Sequence, residues 1–416
     1  MKPQNFLSVT KAEARSVFLV YSVATRAFMT MVFTVNLIYF VTFAGLNPLQ
    51  MVLVGTTLEA AVFIFEIPTG VVADTISRRL SIIIGVFLIG LGFLVQASFP
   101  NFLLILFAQV LWGLGYTFTS GASQAWISDE LGEENAANAF LQATQWEQLG
   151  AILAIGLSVL MTSLWTLRLP MAAGGFLFWI LGFYLMARMP ETQFHPVPRT
   201  ERQTWQAMGK TLKTGFTMFR FRPALLRIFL IGFFFGFYSE GLDRLWVPHI
   251  LERFHLPQQG ETMMVGWVAA ISALSMMIVF FASRVVRDWL GEQAKISQIS
   301  TLLNVFSVFL VGCVALFAVL KIMVFSFLVL VTINVLRSLI YPLFTAWVNH
   351  RLRSDARATV LSFSSLLDSF GQISGGPLVG VIAQQSSIQN GLLASALFLS
   401  PVLLLFALNR QRPLEA

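Results

Sequence analysis

Long apolar segments alternate with short polar ones along the whole chain. Each is long enough for a helix that crosses the roughly 30 Å hydrocarbon core of a bilayer, which takes about 20 residues. The alternation of apolar and polar residues typical of strands is absent, and open sheets cannot satisfy their backbone in lipid. The pattern predicts an all-α integral membrane protein with twelve transmembrane helices, numbered here as spans 1 to 12. The segments fall near residues 16–44, 49–73, 80–98, 102–128, 137–163, 169–188, 224–250, 262–283, 295–319, 322–348, 357–383 and 389–409.

Composition supports a lipid-facing surface. Only 11% of the 416 residues are charged and 56% are hydrophobic, whereas soluble domains carry about 25% charged residues. The first apolar segment is too long for the core of a cleaved signal peptide, so we expect a retained helix.

Basic residues are distributed unevenly between the two sides of the predicted membrane. Of 27 lysines and arginines, 21 fall on the side of the termini, and Arg168, Arg253 and Lys321 fall on the other. Because cytoplasmic loops retain positive charge, we expect both termini in the cytoplasm and the protein in the cell inner (cytoplasmic) membrane. The net charge of +7 lies in these loops, which favours membrane orientation over nucleic-acid binding.

The longest connection, residues 190–222, has a basic amphipathic second part. It predicts a cytoplasmic linker with a short helix on the membrane surface, between a six-helix bundle at 1–189 and another at 223–416. The two halves share a motif at an offset of 221 residues, which indicates a duplicated unit of the kind seen in parallel-repeat transporters. The matched pairs are Trp126 and Trp347, Leu131 and Leu352, Glu147 and Asp368, and Gly150 and Gly371.

A charged loop, "GVVADTISRR", follows span 2. It contains Gly70, Asp74, Arg78 and Arg79, and "RVVRDWLG" repeats its aspartate as Asp288 after span 8. We interpret the loop as a cytoplasmic gating motif, in which Gly70 permits close helix approach, Asp74 accepts amides or a cation, and the arginines anchor the loop.

This loop resembles the signature of the major facilitator superfamily, G-x-x-x-D-x-x-G-R-[RK], with Ser77 in place of the second glycine. The run Pro190-Glu191-Thr192 is similar to the end of span 6 in that family. The resemblance implies two pseudo-symmetric six-helix bundles and secondary active transport by rocker-switch alternating access. Ser77 predicts that the turn either needs no positive φ or tolerates a side chain at one.

Three segments, "FEIPTGVVAD", "SGASQAWISDEL" and "YSEGLDRLWVPHI", look most like bacterial drug-efflux transporters of the macrolide and tetracycline type. That resemblance implies a multidrug-type antiporter. Two features depart from it. Gln109 stands where such antiporters carry an arginine, and the run Gly376-Pro377 with Gly380 lies in span 11 rather than span 5.

Nine ionisable residues lie within the predicted spans, although a charge at the membrane centre costs about 2.5–3.5 kcal/mol. Six are acids and three are arginines, so some acids must be hydrated, hydrogen-bonded or protonated. We expect Asp243 to be solvated near the outer end. The other eight are candidates for substrate binding and proton coupling: Arg26, Glu59, Glu66, Glu147, Glu240, Arg244, Arg337 and Asp368.

Depth along the helices predicts a pair between Arg26 and Glu66; alternatively, Arg26 snorkels to the cytoplasm. Arg337 and Asp368 lie at equal depth as well, which allows them to pair across spans 10 and 11. Glu240 and Arg244 are spaced i,i+4, which is also typical of a local structural pair.

Glu147 and Asp368 occupy repeat-related positions and are candidate proton carriers. The alternative is that each belongs to a polar packing network.

Five tryptophans are candidates for lining a substrate cavity: Trp112, Trp126, Trp146, Trp246 and Trp347. Interfacial anchoring explains several of them equally well. A cluster of acids is expected either to face basic loops such as Arg78 and Arg79 or to interact with helix dipoles at Asn135 and beyond. Its members are Asp129, Glu130, Glu133 and Glu134.

The leading hypothesis is proton-coupled efflux of amphipathic or apolar small molecules by a monomer in the lipid bilayer. The alternative is a proton-coupled symporter that imports a small metabolite, and the arginines within the spans could bind an anionic one. A receptor or scaffold without transport is a third class. No enzymatic activity, cofactor or metal is expected, because no nucleophile–base motif or metal-ligand spacing is visible and Cys313 is the single cysteine.

Overall fold

The computed structural model describes residues 3–196, 223–254, 260–291, 295–351 and 354–409. Twelve helical segments of 20 to 32 residues are long and apolar enough to cross a membrane, with mean hydropathy between 1.2 and 2.6. This confirms the prediction of an all-α protein with twelve spans. The predicted surface helix falls on residues 197–222, outside the described part of the chain.

Several helices extend beyond the predicted apolar segments and include polar residues at their ends. Spans 1 to 6 are Pro3–Ile38 with the π-helical turn Tyr39–Phe43, Pro48–Thr75, Arg78–Ser98, Phe102–Thr119 continued by Ala122–Leu131, Glu133–Leu164 and Arg168–Arg188. Spans 7 to 12 are Pro223–Arg253, Glu261–Leu290, Ile296–Val319, Met323–Arg351, Ser354–Gln385, and Ile388–Leu399 continued by Pro401–Asn409.

Helix ends follow local chemistry. The Asn101 side chain accepts a hydrogen bond from the Leu103 amide at 3.0 Å and so caps span 4, as asparagine does at helix starts. Gly132 has a φ of 81° and joins span 4 to span 5 through a single residue. A residue with a side chain is strained at that φ, which is why glycine stands there.

The chain divides into two compact units. Unit 1 comprises residues 1–45, 57–207 and 260–269, and unit 2 comprises residues 46–56, 208–259 and 270–416. The division into six-helix halves at 1–189 and 223–416 stays a prediction.

Within unit 1, a buried chain of amides joins spans 1, 3 and 4. The Gln96 amide donates to Asn36 at 2.6 Å, Gln109 donates to Gln96 at 2.7 Å, and the Trp112 indole donates to Gln109 at 2.8 Å. Each of these four side chains is buried. Gln109 therefore closes a neutral network, at the position where the resemblance to drug antiporters leads one to expect an arginine.

Within unit 2, spans 7 and 11 pack with their backbones in close contact. A Cβ at Gly236 would overlap the Asp368 carbonyl group, and a Cβ at Gly371 or Gly375 would overlap carbonyls of span 7. Glycines four residues apart on one helix permit this approach in membrane bundles.

Candidate functional site

An ion pair lies on the wall of a pocket inside unit 2. Arg337 of span 10 donates through both terminal nitrogens to Asp243 of span 7, and the Nη2–Oδ2 distance is 2.7 Å. The side chains are 30% and 41% exposed, respectively. A small molecule can therefore reach both partners.

This cavity, named here the charged pocket, has a volume of about 180 Å³. Spans 7, 8 and 10 supply its lining, which combines the ion pair with an amide, a hydroxyl group, an indole and three aliphatic side chains. The lining residues are Leu242, Asp243, Trp246, Ile271, Ser272, Leu330, Asn334 and Arg337.

A second ion pair lies on span 7, between residues that flank Asp243 in the sequence. Arg244 Nε donates to Glu240 Oε1 at 2.7 Å, and the side chains are only 14% and 4% exposed, respectively. The Glu240 carboxyl group occupies the space that a Cβ at Gly55 would need. This confirms the predicted local pair, and its burial gives it a packing role that the open pair at Arg337 does not share.

Asp368 of span 11 belongs to the same charged region. Its carboxylate accepts a hydrogen bond from Gln372 at 2.9 Å, and Arg337 attracts it electrostatically. The predicted Arg337–Asp368 ion pair is therefore wrong, because Arg337 points to Asp243 instead. Asp243 is correspondingly an ion-paired acid, and its side chain stays 41% exposed. Equal depth along two helices could not reveal which face of each helix turns toward the other.

The charges of the first half are arranged differently from the prediction. Arg26 and Glu66 form no ion pair in the described part of the chain. Arg26 is exposed and attracts the half-buried Glu147 of span 5, while Glu66 interacts with the Ser120 hydroxyl group. Glu59 is half-buried on span 2.

The five tryptophans separate into three environments. Trp246 lines the charged pocket, and Trp146 is 53% exposed. Trp112, Trp126 and Trp347 are buried in helix packing, so the expectation that they line a cavity does not hold for these three. The Trp126 indole donates to the Pro190 carbonyl at 2.7 Å, and Trp347 packs against Phe344 and Phe406.

The loop after span 2 is tied to the end of span 6. The Ser77 hydroxyl group donates to Glu191 at 2.5 Å, and the Arg79 amide donates to the same carboxylate at 2.9 Å. The Arg79 guanidinium also donates to the Met186 carbonyl at 2.6 Å.

Span 4 also contacts this loop and the segment that follows span 6. Arg78 pairs with Asp129 and donates to the Ala125 carbonyl at 2.9 Å. Glu130 accepts hydrogen bonds from the Thr192 amide at 2.6 Å and hydroxyl at 2.8 Å. The Arg78–Asp129 pair confirms the expected contact with the basic loop for Asp129, whereas Glu130 binds the segment after span 6 instead.

Other positions of the gating motif are less constrained. Asp74 is half-buried and makes no ion pair with any residue that the structure describes. A Cβ at Gly70 would meet no described atom within 4 Å, so the expected close helix approach at Gly70 is not seen. Asp288 contacts only the neighbouring Arg287, at 3.4 Å and at an exposed position, among the ion pairs of the described residues.

Sequence reasoning missed Asn334 and Ser272, which complete the charged pocket. Single uncharged polar residues inside apolar helices are common, so their pattern carries no signal until three helices are packed. No group of three or more potential metal ligands occurs in the described ranges.

Comparisons with known proteins agree with this architecture. Residues 17–376 match the Major Facilitator Superfamily. The chain is 24% identical over 369 residues to the uncharacterized MFS-type transporter YxaM of Bacillus subtilis (strain 168), covering 86% of this chain and 87% of that protein.

Solved structures share the fold at low identity. The nucleoside transporter NupG superposes with a TM-score of 0.77 at 16% identity, covering 96% of this chain and 99% of that chain. The peptide transporter POT in complex with sulfate gives 0.74 at 14% identity, with 97% and 96% covered. A bacterial homolog of the human lysosomal transporter Spinster gives 0.71 at 14% identity, with 99% and 98% covered. This chain belongs to the Major Facilitator Superfamily and is a multi-pass membrane transporter rather than an enzyme.

Proposed function

We propose that this protein is a proton-coupled secondary transporter of a small polar or charged organic molecule, working as a monomer by alternating access. The observation that carries the proposal is the accessible ion pair between Asp243 and Arg337 on the wall of the charged pocket. Charged side chains inside membrane spans are costly and mark substrate or proton pathways.

The charges around the pocket do not balance. Glu240, Asp243 and Asp368 face two arginines, Arg244 and Arg337, and electrostatic interactions connect the group. If all five were ionised, the region would carry one net negative charge in surroundings of low dielectric constant. Uptake of one proton neutralises it. Asp368 is our proposed holder of this proton in the empty transporter, because its direct hydrogen-bond partner is the neutral Gln372. Asp243, the acid of the accessible ion pair, is our proposed acceptor of the proton that moves with the substrate.

The size of the pocket bears on the substrate. Its volume of about 180 Å³ lies below the range of roughly 300–1,000 Å³ typical of sites for drug-sized ligands. A small metabolite fits such a pocket better than a macrolide or a tetracycline. We place import by symport first, because the accessible Arg337 can bind an anionic group of such a metabolite.

Efflux of amphipathic molecules is the second candidate function. Trp246 and three aliphatic side chains line part of the pocket wall, and an apolar ligand would contact these residues. In this case proton binding and substrate binding alternate, so an inward proton gradient drives the substrate out.

Proteoliposomes with an imposed pH gradient test the proposal. Labelled organic anions, zwitterions, nucleosides, peptides and amphipathic drugs are offered, while a trapped dye reports internal pH. We expect one solute to accumulate with the proton gradient. Asp243→Asn should lose this accumulation but keep exchange of labelled for unlabelled substrate, which needs no net proton movement. Glu252→Gln, an exposed acid on the same helix as Asp243, is the matched control.

Transport that is indifferent to the pH gradient would contradict proton coupling. Extrusion of amphipathic drugs against their gradient, with no accumulation of the smaller solutes, would favour the second candidate.

The cytoplasmic membrane, with both termini inside the cell, is the proposed location, supported by the 21 to 3 distribution of basic residues. Gly70, Asp74, Arg78, Arg79 and Asp288 remain the proposed gating motif. The contacts of Arg78 and Arg79 support a role in holding the loop in shape.

A further inference from the structure

We propose that the charged pocket binds a small organic carboxylate, which replaces Asp243 as the partner of Arg337. This inference rests on the proposed function and names the class of its substrate. It is carried by the ion pair, by the lining of the pocket and by the balance of charge on binding.

The geometry of the ion pair suits such an exchange. Arg337 presents two terminal nitrogens side by side, and both carboxylate oxygens of Asp243 accept from them. A guanidinium group holds a carboxylate by two parallel hydrogen bonds in this way. A substrate carboxylate has the same two oxygens at the same spacing, so it can pair with Arg337 in the same way once the Asp243 side chain rotates away.

Accessibility separates this pair from its neighbour. The Arg337 side chain is 30% exposed, whereas Arg244 is 14% exposed and its partner Glu240 only 4%. A ligand that entered the pocket would therefore meet Arg337 rather than Arg244. Tyr238 supports the guanidinium from behind, with its ring centroid 5.9 Å from Arg337 Cζ.

The other residues that line the pocket indicate the chemistry of the rest of the ligand, apart from its carboxylate. Leu242, Ile271 and Leu330 are aliphatic and Trp246 is aromatic, while Asn334 and Ser272 add an amide and a hydroxyl group. The cavity of about 180 Å³ corresponds to roughly six water molecules in the liquid. A carboxylate with a short apolar or aromatic body matches both the chemistry and the size.

Charge balance couples the carboxylate to a proton. The empty pair of Asp243 and Arg337 is neutral. Binding of the anion alone gives a net negative charge and protonation of Asp243 alone gives a net positive charge, and both states are costly away from water. Only when the proton moves onto Asp243 and the anion onto Arg337 is the site neutral again. The two are therefore expected to bind together.

Other titratable and charged groups lie around Asp243 and contribute to the net charge of the site. Span 7 contributes Tyr238, Glu240 and Arg244, span 10 contributes Arg337, and span 11 contributes Asp368. Span 8 lines the pocket with Ile271 and Ser272, neither of which titrates.

Ligand binding to the purified full-length protein in detergent tests the inference separately from transport. The probes are benzoate and propionate, with benzamide and benzylamine as neutral and cationic counterparts of benzoate, measured by calorimetry and thermal shift. We expect the carboxylates to bind at least about tenfold more tightly near pH 5.5 than near pH 8, because a proton binds with them. The amide and the amine should bind weakly.

Variants identify the two partners. Asp243→Asn removes the competing carboxylate, so benzoate should bind more tightly and with little dependence on pH. Arg337→Gln should weaken benzoate binding by about 100-fold, and Arg337→Lys should weaken it as well, because lysine lacks the two-pronged geometry. The control Glu252→Gln should bind as the unchanged protein does. Size-exclusion profiles confirm that each variant is folded.

Two results would overturn the inference. Tighter binding of benzylamine than of benzoate, abolished by Asp243→Asn, would show a site for cations instead. Absence of carboxylate binding in a protein that still transports another solute with protons would refute the carboxylate site and leave the proposed function intact. Conversely, pH-dependent benzoate binding without any proton-coupled transport would support the site and refute the proposed function.

Discussion

At the scale of single residues, Ser77 shows how one substitution in a family signature is accommodated. The backbone at Ser77 is extended, with φ −173° and ψ 128°, and its side chain accepts a hydrogen bond from the Leu80 amide at 2.9 Å. Ser77 is therefore the N-cap of span 3, and the prediction that this turn needs no positive φ is confirmed.

We expect Ser77→Ala to destabilise the protein by about 0.5–2 kcal/mol, the usual cost of losing a serine N-cap. Ser77→Gly should destabilise the protein less than Ser77→Ala, because glycine is itself tolerated at the N-cap position. Thermal denaturation of both variants in detergent measures the difference. A higher melting temperature for Ser77→Gly than for the unchanged protein would contradict the capping role.

Two of the three basic residues predicted for the outer side have structural partners. Arg168 donates to the Ala97 and Ser98 carbonyls at the end of span 3, at 2.6 and 2.8 Å. Arg253 donates to the Leu320 and Val319 carbonyls at the end of span 9, at 3.1 and 3.0 Å. Carbonyls at a helix C-terminus lack partners within the helix, and a cation there also interacts favourably with the helix dipole.

Removal of either arginine should therefore reduce stability more than removal of Lys321, an exposed residue of the same predicted side. We expect Arg168→Gln and Arg253→Gln each to lose about 1–3 kcal/mol, and Lys321→Gln to be nearly neutral. Thermal shift measurements on the three variants compare them directly. Equal losses for all three would show that the charge matters and the carbonyl contacts do not.

At the scale of helices, the packing of spans 7 and 11 depends on glycine. Alanine normally favours a helix over glycine by about 0.5–1 kcal/mol. At Gly236 and Gly371, however, the added methyl group would overlap the backbone of the facing helix.

Gly236→Ala and Gly371→Ala should therefore destabilise unit 2, whereas Gly312→Ala on span 9 should be neutral or stabilising, because a Cβ there meets no described atom within 4 Å. Melting temperatures in detergent and the yield of monodisperse protein measure the effect. If Gly312→Ala were as harmful as the other two, helix propensity in lipid rather than helix contact would explain the losses.

At the scale of the whole molecule, the distribution of basic residues makes the proposed topology testable. Cys313 is the single cysteine and is half-buried in span 9, so Cys313→Ser provides a background without other thiols.

In that background, Ser98→Cys should react with a membrane-impermeant maleimide added to intact cells, because it ends span 3 on the predicted outer side. His195→Cys, which follows span 6, should react only after the membrane is permeabilised. The reverse pattern of labelling would place the termini outside the cell.

The two halves also show how far a sequence repeat predicts structure. Trp126 and Trp347, 221 residues apart, are both fully buried, so the shared motif correctly marks equivalent packing. Glu147 and Asp368 are also matched, yet Glu147 faces Arg26, whereas Asp368 binds Gln372 and lies near Arg337. The repeat preserves helix packing, while the chemistry around each acid depends on neighbours that the repeat does not share.

The sequence by itself determined the all-helical architecture, the twelve spans and the family, because the length of an apolar segment and its charged loop are local properties that lipid constrains strongly. It also identified which charges lie inside the spans. Only the tertiary structure decided their partners. Arg337 pairs with Asp243 rather than Asp368, and Arg26 attracts Glu147 rather than pairing with Glu66. Depth along a helix can be counted from the sequence, but the rotation of each helix about its axis arises only from packing against its neighbours.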